Sequence, residues 1–327
     1  MAGGVPTPPT DDTDQSEGEV TESRRPSERL AEGLPLAPGR IVLYLALLAG
    51  LVFYLIPLHS GLMTAISQGI SGVPYAPPGL DEFTLDNWGT AYESVRPGLI
   101  NSFLFVLPAT VLSATFGSLA AFGLTKLSWR GQIGILMLFV AGVFIPYQSV
   151  LVPLRLFWGQ MALAGSLELL GDSLIPPLSS GAYWLANHSD LIELTITHTA
   201  YGIPICTVLF RGYYLTIDTD MIEAAQVDGA SMFTVYRRII LPLSKPMFAV
   251  TMIYQFTNIW NDLLFALILV TDSEQQVATQ QLQQLFGSMT TNFPVVIAAA
   301  FVVATPTVII YVLFGKQFAE GITGSSG

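Results

Sequence analysis

Residues 216–245 read TIDTDMIEAAQVDGASMFTVYRRIILPLSK, a stretch in which charged and small residues lie between two long apolar segments. Asp220 and Glu223 have the spacing of a capping box, so a helix is predicted to begin there. Gly229 is predicted to end that helix, because glycine adopts a positive φ without a Cβ clash. Ser231 is predicted to cap a second helix, which the proline of LPL closes. The stretch is therefore expected to be a helix-turn-helix held against a membrane surface, called the helical hairpin below.

The composition of the chain indicates a membrane protein. Of its 327 residues 51% are hydrophobic and only 11% are charged, whereas soluble domains average about 25% charged residues. The net charge of -11 says little about partners, because eight of the 24 acidic residues lie in the first 39 positions. Each of six apolar segments is long enough to cross a hydrocarbon core of about 30 Å. These predicted spans are 41–63, 99–124, 133–154, 191–215, 246–270 and 293–314.

The basic residues predict the orientation of these spans, because lysine and arginine concentrate on the cytoplasmic side. With both termini in the cytoplasm, only Arg96 and Arg155 lie on the outer side. The eleven inner basic residues are Arg24, Arg25, Arg29, Arg40, Lys126, Arg130, Arg211, Arg237, Arg238, Lys245 and Lys316. The same orientation places the helical hairpin on the cytoplasmic side.

The segments outside the predicted spans differ in character. Residues 1–39 are acidic and contain few large apolar side chains, so they are expected to form a disordered cytoplasmic tail. On the outer side, 85–95 is predicted to be a short interfacial helix. The stretch 155–190 is predicted to be an outer loop that contains a half-buried helix at 161–170. A seventh span there is the alternative, but it would place the helical hairpin outside.

The fifth predicted span carries polar residues within otherwise lipid-compatible sequence. They are Gln255, Asn258, Trp260, Asn261 and Asp262. A carboxylate at the bilayer centre costs roughly 2.5–3.5 kcal/mol on insertion scales, so Asp262 should face protein or a water-filled path. Asn258, Asn261 and Asp262 are thus candidates for lining a translocation path. The alternative is hydrogen bonding between helices, worth about 0.6 kcal/mol on average. His198 and Glu193 lie in the outer part of the fourth predicted span, where they would line the same path or pack.

Several motifs of enzymes are absent from the sequence. It contains no G-x-x-x-x-G-K-[ST] phosphate-binding loop, so any ATP must be hydrolysed by another chain. Its histidines, His59, His188 and His198, show no spacing of metal ligands, and no H-E-x-x-H or G-x-S-x-G motif occurs. The single cysteine, Cys206, excludes an intrachain disulfide and is expected to pack. We therefore expect neither a catalytic site nor a metal site nor a cofactor bound by this chain.

The helical hairpin carries a pattern of fixed spacing: Glu-Ala-Ala, three residues, Gly, nine residues, Ile, one residue and Leu-Pro. The positions that fill it are Glu223, Ala224, Ala225, Gly229, Ile239, Leu241 and Pro242. This pattern resembles the cytoplasmic loop of the membrane subunits, or permeases, of ABC importers. Further stretches are similar to the carbohydrate branch of that family, in particular to permeases of the maltose-system type. They are Ile203-Pro204, Arg211-Gly212-Tyr213-Tyr214, Trp260-Asn261-Asp262 and Gly321-Ile322-Thr323-Gly324.

The resemblance implies an all-α polytopic protein of the plasma membrane, with six transmembrane helices, both termini in the cytoplasm and a transmembrane domain over 40–327. It implies a second permease subunit, two ATP-binding subunits that use the ATP, and an extracellular binding protein that delivers a sugar; no nucleic acid is expected. The segment Glu223–Gly229, with Asp228, would dock into a cleft of an ATPase and couple it to transport, supported by Ile239, Leu241 and Pro242. The tail after Phe318 would reach between the ATPases, although it lacks the basic residue expected near its end.

Three alternatives remain open at the level of sequence. In the first, the chain is a stand-alone transporter or channel driven by an ion gradient, with Asp262 as the ion site. In the second, it is an ABC permease for a solute other than a sugar. An intramembrane enzyme is the third, but the paired catalytic groups that it requires are not found. The sequence does not identify the sugar, nor which of the two permeases holds the main substrate site.

Overall fold

The computed structural model describes residues 38–69, 76–288 and 292–323, so most of the predicted acidic tail lies outside the described residues. Apart from one isolated bridge between Ser67 and Phe83, the described residues form helices and their connections. The predicted all-α class is therefore confirmed for them. In chain order the α-helices are α1 (Pro38–Ala65), α2 (Asp86–Thr125), α3 (Gln132–Val143), α4 (Tyr147–Met161), α5 (Leu163–Ser173), α6 (Leu178–Ala186), α7 (Ser189–Tyr214), α8 (Asp220–Val227), α9 (Met232–Val235), α10 (Leu241–Leu243), α11 (Lys245–Trp260), α12 (Leu264–Leu269), α13 (Ala278–Gly287) and α14 (Phe293–Thr323).

The chain divides into two units between Ile56 and Pro57, within α1. Of the first unit the structure describes residues 38–56, a helical stretch whose large apolar side chains are exposed. The second unit, Pro57–Gly327, contains the other helices and the packed core. An apolar helix whose backbone bonds are all internal is the form of chain that a bilayer accepts.

Four helical stretches of the described residues are long and apolar enough to cross a membrane. They are Gly39–Ala65, Asp86–Thr125, Tyr147–Ser173 and Phe293–Gly315. A fifth arises if Met232–Leu243 and Lys245–Trp260, which meet at an angle of 75°, count as one broken span. The helix α7 has 26 residues but includes Asp190, Glu193 and His198. The chain is therefore a multi-pass helical protein, and its six-span topology stays a prediction.

The third predicted span, 133–154, is not one helix. It is divided between α3 and α4, with a break at residues 144–146. Pro146 causes the break, because a proline disfavours helical backbone in the residue before it. The hydroxyl of Tyr201 on α7 donates a hydrogen bond to the carbonyl of Ile145, which the break leaves without a helical partner. The loss of helical bonding is thus compensated by a neighbouring helix.

Two outer predictions are wrong in detail. The predicted interfacial helix 85–95 is not separate, because α2 continues through Pro97 as one helix of 40 residues. The predicted half-buried helix at 161–170 corresponds to α5, in which Gly171 is the one buried residue. Hydrophobic side chains of α5 such as Leu169 remain exposed. The length and apolar content of these stretches predicted that helices form there, but not which residues of the chain they pack against.

The fifth predicted span, 246–270, is also broken. The helix α11 ends at Trp260, and the shorter α12 begins at Leu264. The two halves are separated by Asn261, Asp262 and Leu263. Asn261 and Asp262 therefore lie at a helix break, whereas Gln255 and Asn258 lie within α11.

Glycines allow the core helices to approach one another closely. A Cβ on Gly117 of α2 would lie 2.3 Å from the Cβ of Cys206 on α7. A Cβ on Gly202 of α7 would lie 1.9 Å from the Nε2 atom of Gln255 on α11. Small residues at contacts are the usual means by which membrane helices pack tightly. Cys206 is fully buried, as its predicted packing role requires.

Hydrogen bonds fasten the segment after α12 to the interior of α2 and to the start of α7. Oδ2 of Asp190 accepts hydrogen bonds from the N–H groups of Thr271 and Asp272, at 2.7 and 3.0 Å. The amide of Asn101 donates to the carbonyls of Glu274 and Gln276, at 2.8 and 2.9 Å. The N–H of Glu274, together with the amide of Gln275, also holds the pKa of Asp272 below its usual value. This part of the chain is thus fixed by polar contacts in addition to the burial of Val270 and Val277 in the core.

Candidate functional site

The first helix of the helical hairpin, α8, begins differently from the prediction. Thr219 is its N-cap, Asp220 lies in the first turn, and no capping bond from the Thr219 side chain is made. The carboxylate of Asp218 accepts a hydrogen bond of 3.0 Å from the N–H of Asp220. The predicted capping box is therefore wrong: Asp218 takes the local bond in a turn of the kind that aspartate favours. Asp220 and Glu223 still lie in the first turn, where negative charge suits the helix dipole.

The end of α8 is as predicted. Gly229 has a φ of +83°, in the left-handed region. The N–H of Ala230 bonds to the carbonyl of Ala225 and the N–H of Gly229 to that of Gln226, both at 2.9 Å. These two bonds form a Schellman motif, which satisfies the last carbonyls of a helix. The turn therefore has a defined geometry that depends on Gly229.

The second helix begins as predicted but ends later and is not regular. The Ser231 side chain caps it by accepting from the N–H of Thr234 at 3.3 Å. The helix widens to a π-helix over Tyr236–Ile240 and returns to α-helix for Leu241–Leu243. Pro242 lies inside this last turn and does not close the helix. The chain then bends by 75° into α11 at Ser244, whose hydroxyl donates to the carbonyl of Ile240 at 2.5 Å.

One side of the helical hairpin is anchored in the protein core. Ile222, Val235 and Ile240 are buried in a cluster with Phe210 and Tyr214 of α7. Such buried apolar side chains contribute about 1.5–3 kcal/mol each when they are fully removed from water. The hairpin is therefore part of the folded unit rather than a loose connection.

A buried serine links the helical hairpin to the core by hydrogen bonds. Oγ of Ser118 on α2 lies 2.6 Å from the hydroxyl of Tyr214 and 2.8 Å from that of Tyr236. Nearby, the Lys126 ammonium donates to the carbonyl of Ile217 at 2.8 Å. Burial lowers the pKa of Lys126, and the Asp218 carboxylate opposes that shift. These contacts join α2, α7 and the hairpin.

The opposite side of the helical hairpin is exposed. This surface includes Glu223, Ala224, Val227, Asp228 and Gly229. Val227 is 88% exposed. The remaining predicted residues are less accessible: Ala225, Ile239 and Leu241 are partly buried, whereas Pro242 is exposed. An exposed surface that combines carboxylates with apolar side chains, on a rigid base, is suited to contact another protein.

Asp262, which was predicted to line the translocation path, makes polar contacts with other residues of the chain. Its Oδ2 atom accepts a hydrogen bond of 3.0 Å from the N–H of Phe265, at the start of α12. The same oxygen lies 3.7 Å from Nε2 of His198, and both side chains are largely buried. The structure thus brings Asp262 and His198 together, across α7 and the break between α11 and α12. Glu193, also on α7, is buried but forms no ion pair with His198.

The two predicted asparagines lie on one exposed face, Asn258 in α11 and Asn261 at its C-cap. Asn258 and Asn261, together with Tyr254, have the spacing i, i+4 and i+7, and all three are exposed. The Asn258 amide donates to the carbonyl of Tyr254 at 3.1 Å, and that of Asn261 to the carbonyl of Thr257 at 2.8 Å. The helix-to-helix hydrogen bonds considered for these residues are therefore not formed in the chain.

A polar cavity of about 90 Å³ lies beside these residues, between α7 and α11 and the start of α4. Its lining is Val143, Tyr147, His198, Tyr201, Gly202, Ile205, Tyr254, Gln255, Asn258 and Ile259. Sequence reasoning missed the tyrosines and gave Gln255 no role, because their convergence arises only from packing. Among the described residues, no group of three His, Cys, Asp or Glu side chains is placed to hold a metal ion.

Several apolar helices, a cavity between them and an exposed helical hairpin are typical of membrane transport subunits. Residues 113–317 match the family described as "Binding-protein-dependent transport system inner membrane component", and the chain belongs to this family of ABC transporter permeases. It is accordingly a multi-pass membrane protein and a permease rather than an enzyme.

Individual relatives agree with this assignment. The chain is 47% identical, over 86% of its length and 92% of the relative's, to the xylose/arabinose import permease protein XacI of Haloferax volcanii. It is 37% identical, over 89% and 98% of the two chains, to the probable ABC transporter permease protein PH1216 of Pyrococcus horikoshii. A chain of a bacterial ABC transporter involved in the import of the polysaccharide alginate has the same fold, with a TM-score of 0.64 at 19% identity, over 91% of this chain and 100% of that one.

Proposed function

We propose that this chain forms half of the membrane path of an ATP-driven sugar importer, with a second permease subunit forming the other half. The observation that carries the proposal is the helical hairpin, which is anchored by Ile222, Val235 and Ile240 and presents Glu223 and Gly229 outward. Two ATP-binding subunits would bind this surface and hydrolyse the ATP. An extracellular binding protein would deliver the sugar.

The topology proposed for this role has six crossings. They are α1, α2, α3 with α4, α7, α11 with α12, and α14. Both termini and the helical hairpin then lie in the cytoplasm, in agreement with the excess of basic residues on that side. The breaks within the third and fifth crossings leave backbone groups near the cavity, a position in which discontinuous helices of transporters bind ligands.

The exposed face of α11 is proposed to line the translocation path. Asn258 in α11 and Asn261 at its C-cap are exposed polar side chains, and polar groups avoid lipid. In the assembled importer this face would turn towards the partner permease and the substrate. Asp262 lies at the end of the same helix, where its role is to hold α12 rather than to contact substrate.

The proposed substrate is a sugar, and xylose and arabinose are the first to test. This choice rests on the relative from Haloferax volcanii, whose name assigns it xylose and arabinose import. Uptake of another solute but not of these sugars would leave an ABC permease with a different substrate. Uptake without an ATPase that co-purifies would favour the ion-driven alternative.

The coupling role is tested by reversing one charge on the exposed surface. In cells that depend on this permease, Glu223→Lys should reduce sugar uptake at least tenfold while the protein still inserts in the membrane. Glu168→Lys is the matched control, since Glu168 is also an exposed helical carboxylate but lies on α5. Normal uptake by the Glu223→Lys variant would overturn the coupling assignment.

A further inference from the structure

An apolar groove of about 570 Å³ lies between α2, α11 and α14. Its volume is within the range of about 300–1,000 Å³ that is usual for pockets that hold a whole ligand. Apart from Thr110 and Lys245, every residue that lines the groove is apolar. The groove shares no lining residue with the cavity between α7 and α11, so it is a separate site.

The groove lies on the side of α11 that is turned away from the proposed translocation path. Tyr254 and Asn258 of the exposed polar face follow Met252 and Phe256 of the groove by two residues each. Two residues turn a helix of 3.6 residues per turn by about 200°, so the two sets of side chains point in nearly opposite directions. If the polar face borders the path, the groove is on the side of the helix away from it.

One side of the groove is open. Leu107 and Val111 of α2 and Phe314 of α14 border this side, and each is about half exposed. An apolar surface of this kind, next to a helix that spans the membrane, marks a site of contact with a membrane or a ligand. The groove is thus accessible from the hydrocarbon core.

The depth of the groove matches one leaflet of a bilayer. Its lining on α11 runs from Lys245 to Phe256, and eleven steps of 1.5 Å give about 17 Å. Half of a hydrocarbon core of about 30 Å is about 15 Å. Because α11 follows the helical hairpin directly, the proposed topology places Lys245 at the cytoplasmic surface and Phe256 near the middle of the membrane.

Lys245 gives the mouth of the groove a positive charge. Its side chain is exposed and forms neither an ion pair nor a hydrogen bond with the residues that the structure describes. Basic groups between helices on the cytoplasmic side of a membrane bind anionic lipid headgroups. The groove therefore combines a cation at the depth of the headgroups with an apolar channel of one leaflet in length.

We propose that this groove binds a lipid of the inner leaflet whose headgroup is anionic. The phosphate pairs with the Lys245 ammonium, and one hydrocarbon chain lies along Phe248, Met252 and Phe256. This lipid site goes beyond the proposed function and depends on it only for the topology that assigns the leaflet.

Photo-cross-linking locates the lipid. The complete importer is purified in detergent and mixed with phosphatidylglycerol that carries a diazirine in its acyl chain. After irradiation, mass spectrometry of peptides should find the label in 245–256 and in 310–314. Label elsewhere on the chain but in neither segment would overturn the site and would indicate that protein covers the groove.

The headgroup preference is tested by competition. Unlabelled phosphatidylglycerol should displace the label from the groove about fivefold better than phosphatidylcholine, which corresponds to about 1 kcal/mol for one basic residue. Lys245→Gln should abolish this preference. Arg130→Gln is the matched control, since Arg130 is also an exposed basic residue next to a span but does not border the groove. Equal competition by the two lipids for the unaltered chain would overturn the anionic class, and an equal effect of Arg130→Gln would assign it to general surface charge.

Filling the groove tests the position of the hydrocarbon chain. Ala249 borders the groove, so Ala249→Phe should remove most of the label from 310–314. Ala304→Phe is the control, because Ala304 is an exposed alanine of α14 outside the lining. Full labelling of Ala249→Phe would overturn the site. Cross-linking does not require transport, so a failure of sugar uptake by the unaltered chain would count against the proposed function alone.

Discussion

The Oδ2 atom of Asp262 lies 3.7 Å from the Nε2 atom of His198. The same oxygen accepts a hydrogen bond from the N–H of Phe265 at the start of α12. The carboxylate therefore makes contacts within the chain, with α7 on one side and with the start of α12 on the other. In this arrangement Asp262 has a structural role, whereas a gradient-driven transporter would require it to bind an ion.

Asp262→Asn should keep sugar uptake within about threefold of the unaltered chain, because the asparagine oxygen can also accept the hydrogen bond from the N–H of Phe265. Asp262→Ala should destabilise the protein by about 1 kcal/mol, the usual net contribution of one hydrogen bond. Uptake assays and thermal unfolding in detergent measure the two effects. Complete loss of uptake in Asp262→Asn, at normal protein level and stability, would favour the ion-site alternative.

Gly229 should tolerate asparagine better than valine. Its φ of +83° is accessible to asparagine but strained for a β-branched residue, at a cost of about 1–2 kcal/mol. No atom lies within 4 Å of a Cβ built there, so the difference is conformational. Gly229→Val should show faster hydrogen exchange in α8 and reduced uptake. Similar exchange in both variants would contradict the requirement for a left-handed turn.

Gly117→Ala should destabilise the contact between α2 and α7. The added methyl group would lie 2.3 Å from the Cβ of Cys206, and overpacking of this kind costs about 1–3 kcal/mol. Gly123→Ala on the same helix is the matched control, since nothing lies within 4 Å of its Cβ. Thermal unfolding of the purified protein in detergent compares the two. Equal stability of both variants would mean that the helices can move apart at no cost.

Ser118→Ala should loosen the helical hairpin from the core. It leaves the buried hydroxyls of Tyr214 and Tyr236 without this partner, at a cost of about 1–3 kcal/mol. Hydrogen exchange should increase in the π-helical segment, where Tyr236 lies. In the double variant Ser118→Ala/Tyr236→Phe the two effects should not add, because both substitutions break the same bond. Full additivity would show that the bond does not stabilise the hairpin.

Local rules were sufficient for the turn of the helical hairpin. The left-handed conformation of Gly229 and the cap at Ser231 depend on a few neighbouring residues, and both were predicted. The start of α8 was not, since Asp218 and Asp220 compete for the same role and the sequence offers no means to rank them. The π-helix at Tyr236–Ile240 follows no local pattern, because its widened turn is stabilised by the core that it contacts.

Features that depend on packing could not be predicted from hydropathy. An apolar window averages over Pro146 and over Asn261 to Leu263, so it joins helices that the structure separates. The asparagines of α11 were recognised by their polarity alone. Gln255 was visible for the same reason, but its position against Gly202 on another helix was not. A contact between distant parts of the chain has no signal in a single sequence.

The sharp corner at Ser244 has a mechanical consequence. The second helix of the helical hairpin, Met232–Leu243, and α11 are consecutive in the chain but point 75° apart. A displacement of that second helix along its own axis would therefore reach α11 as a sideways movement. In the proposed importer, the corner would convert an approach of the two ATP-binding subunits into a change in the width of the translocation path.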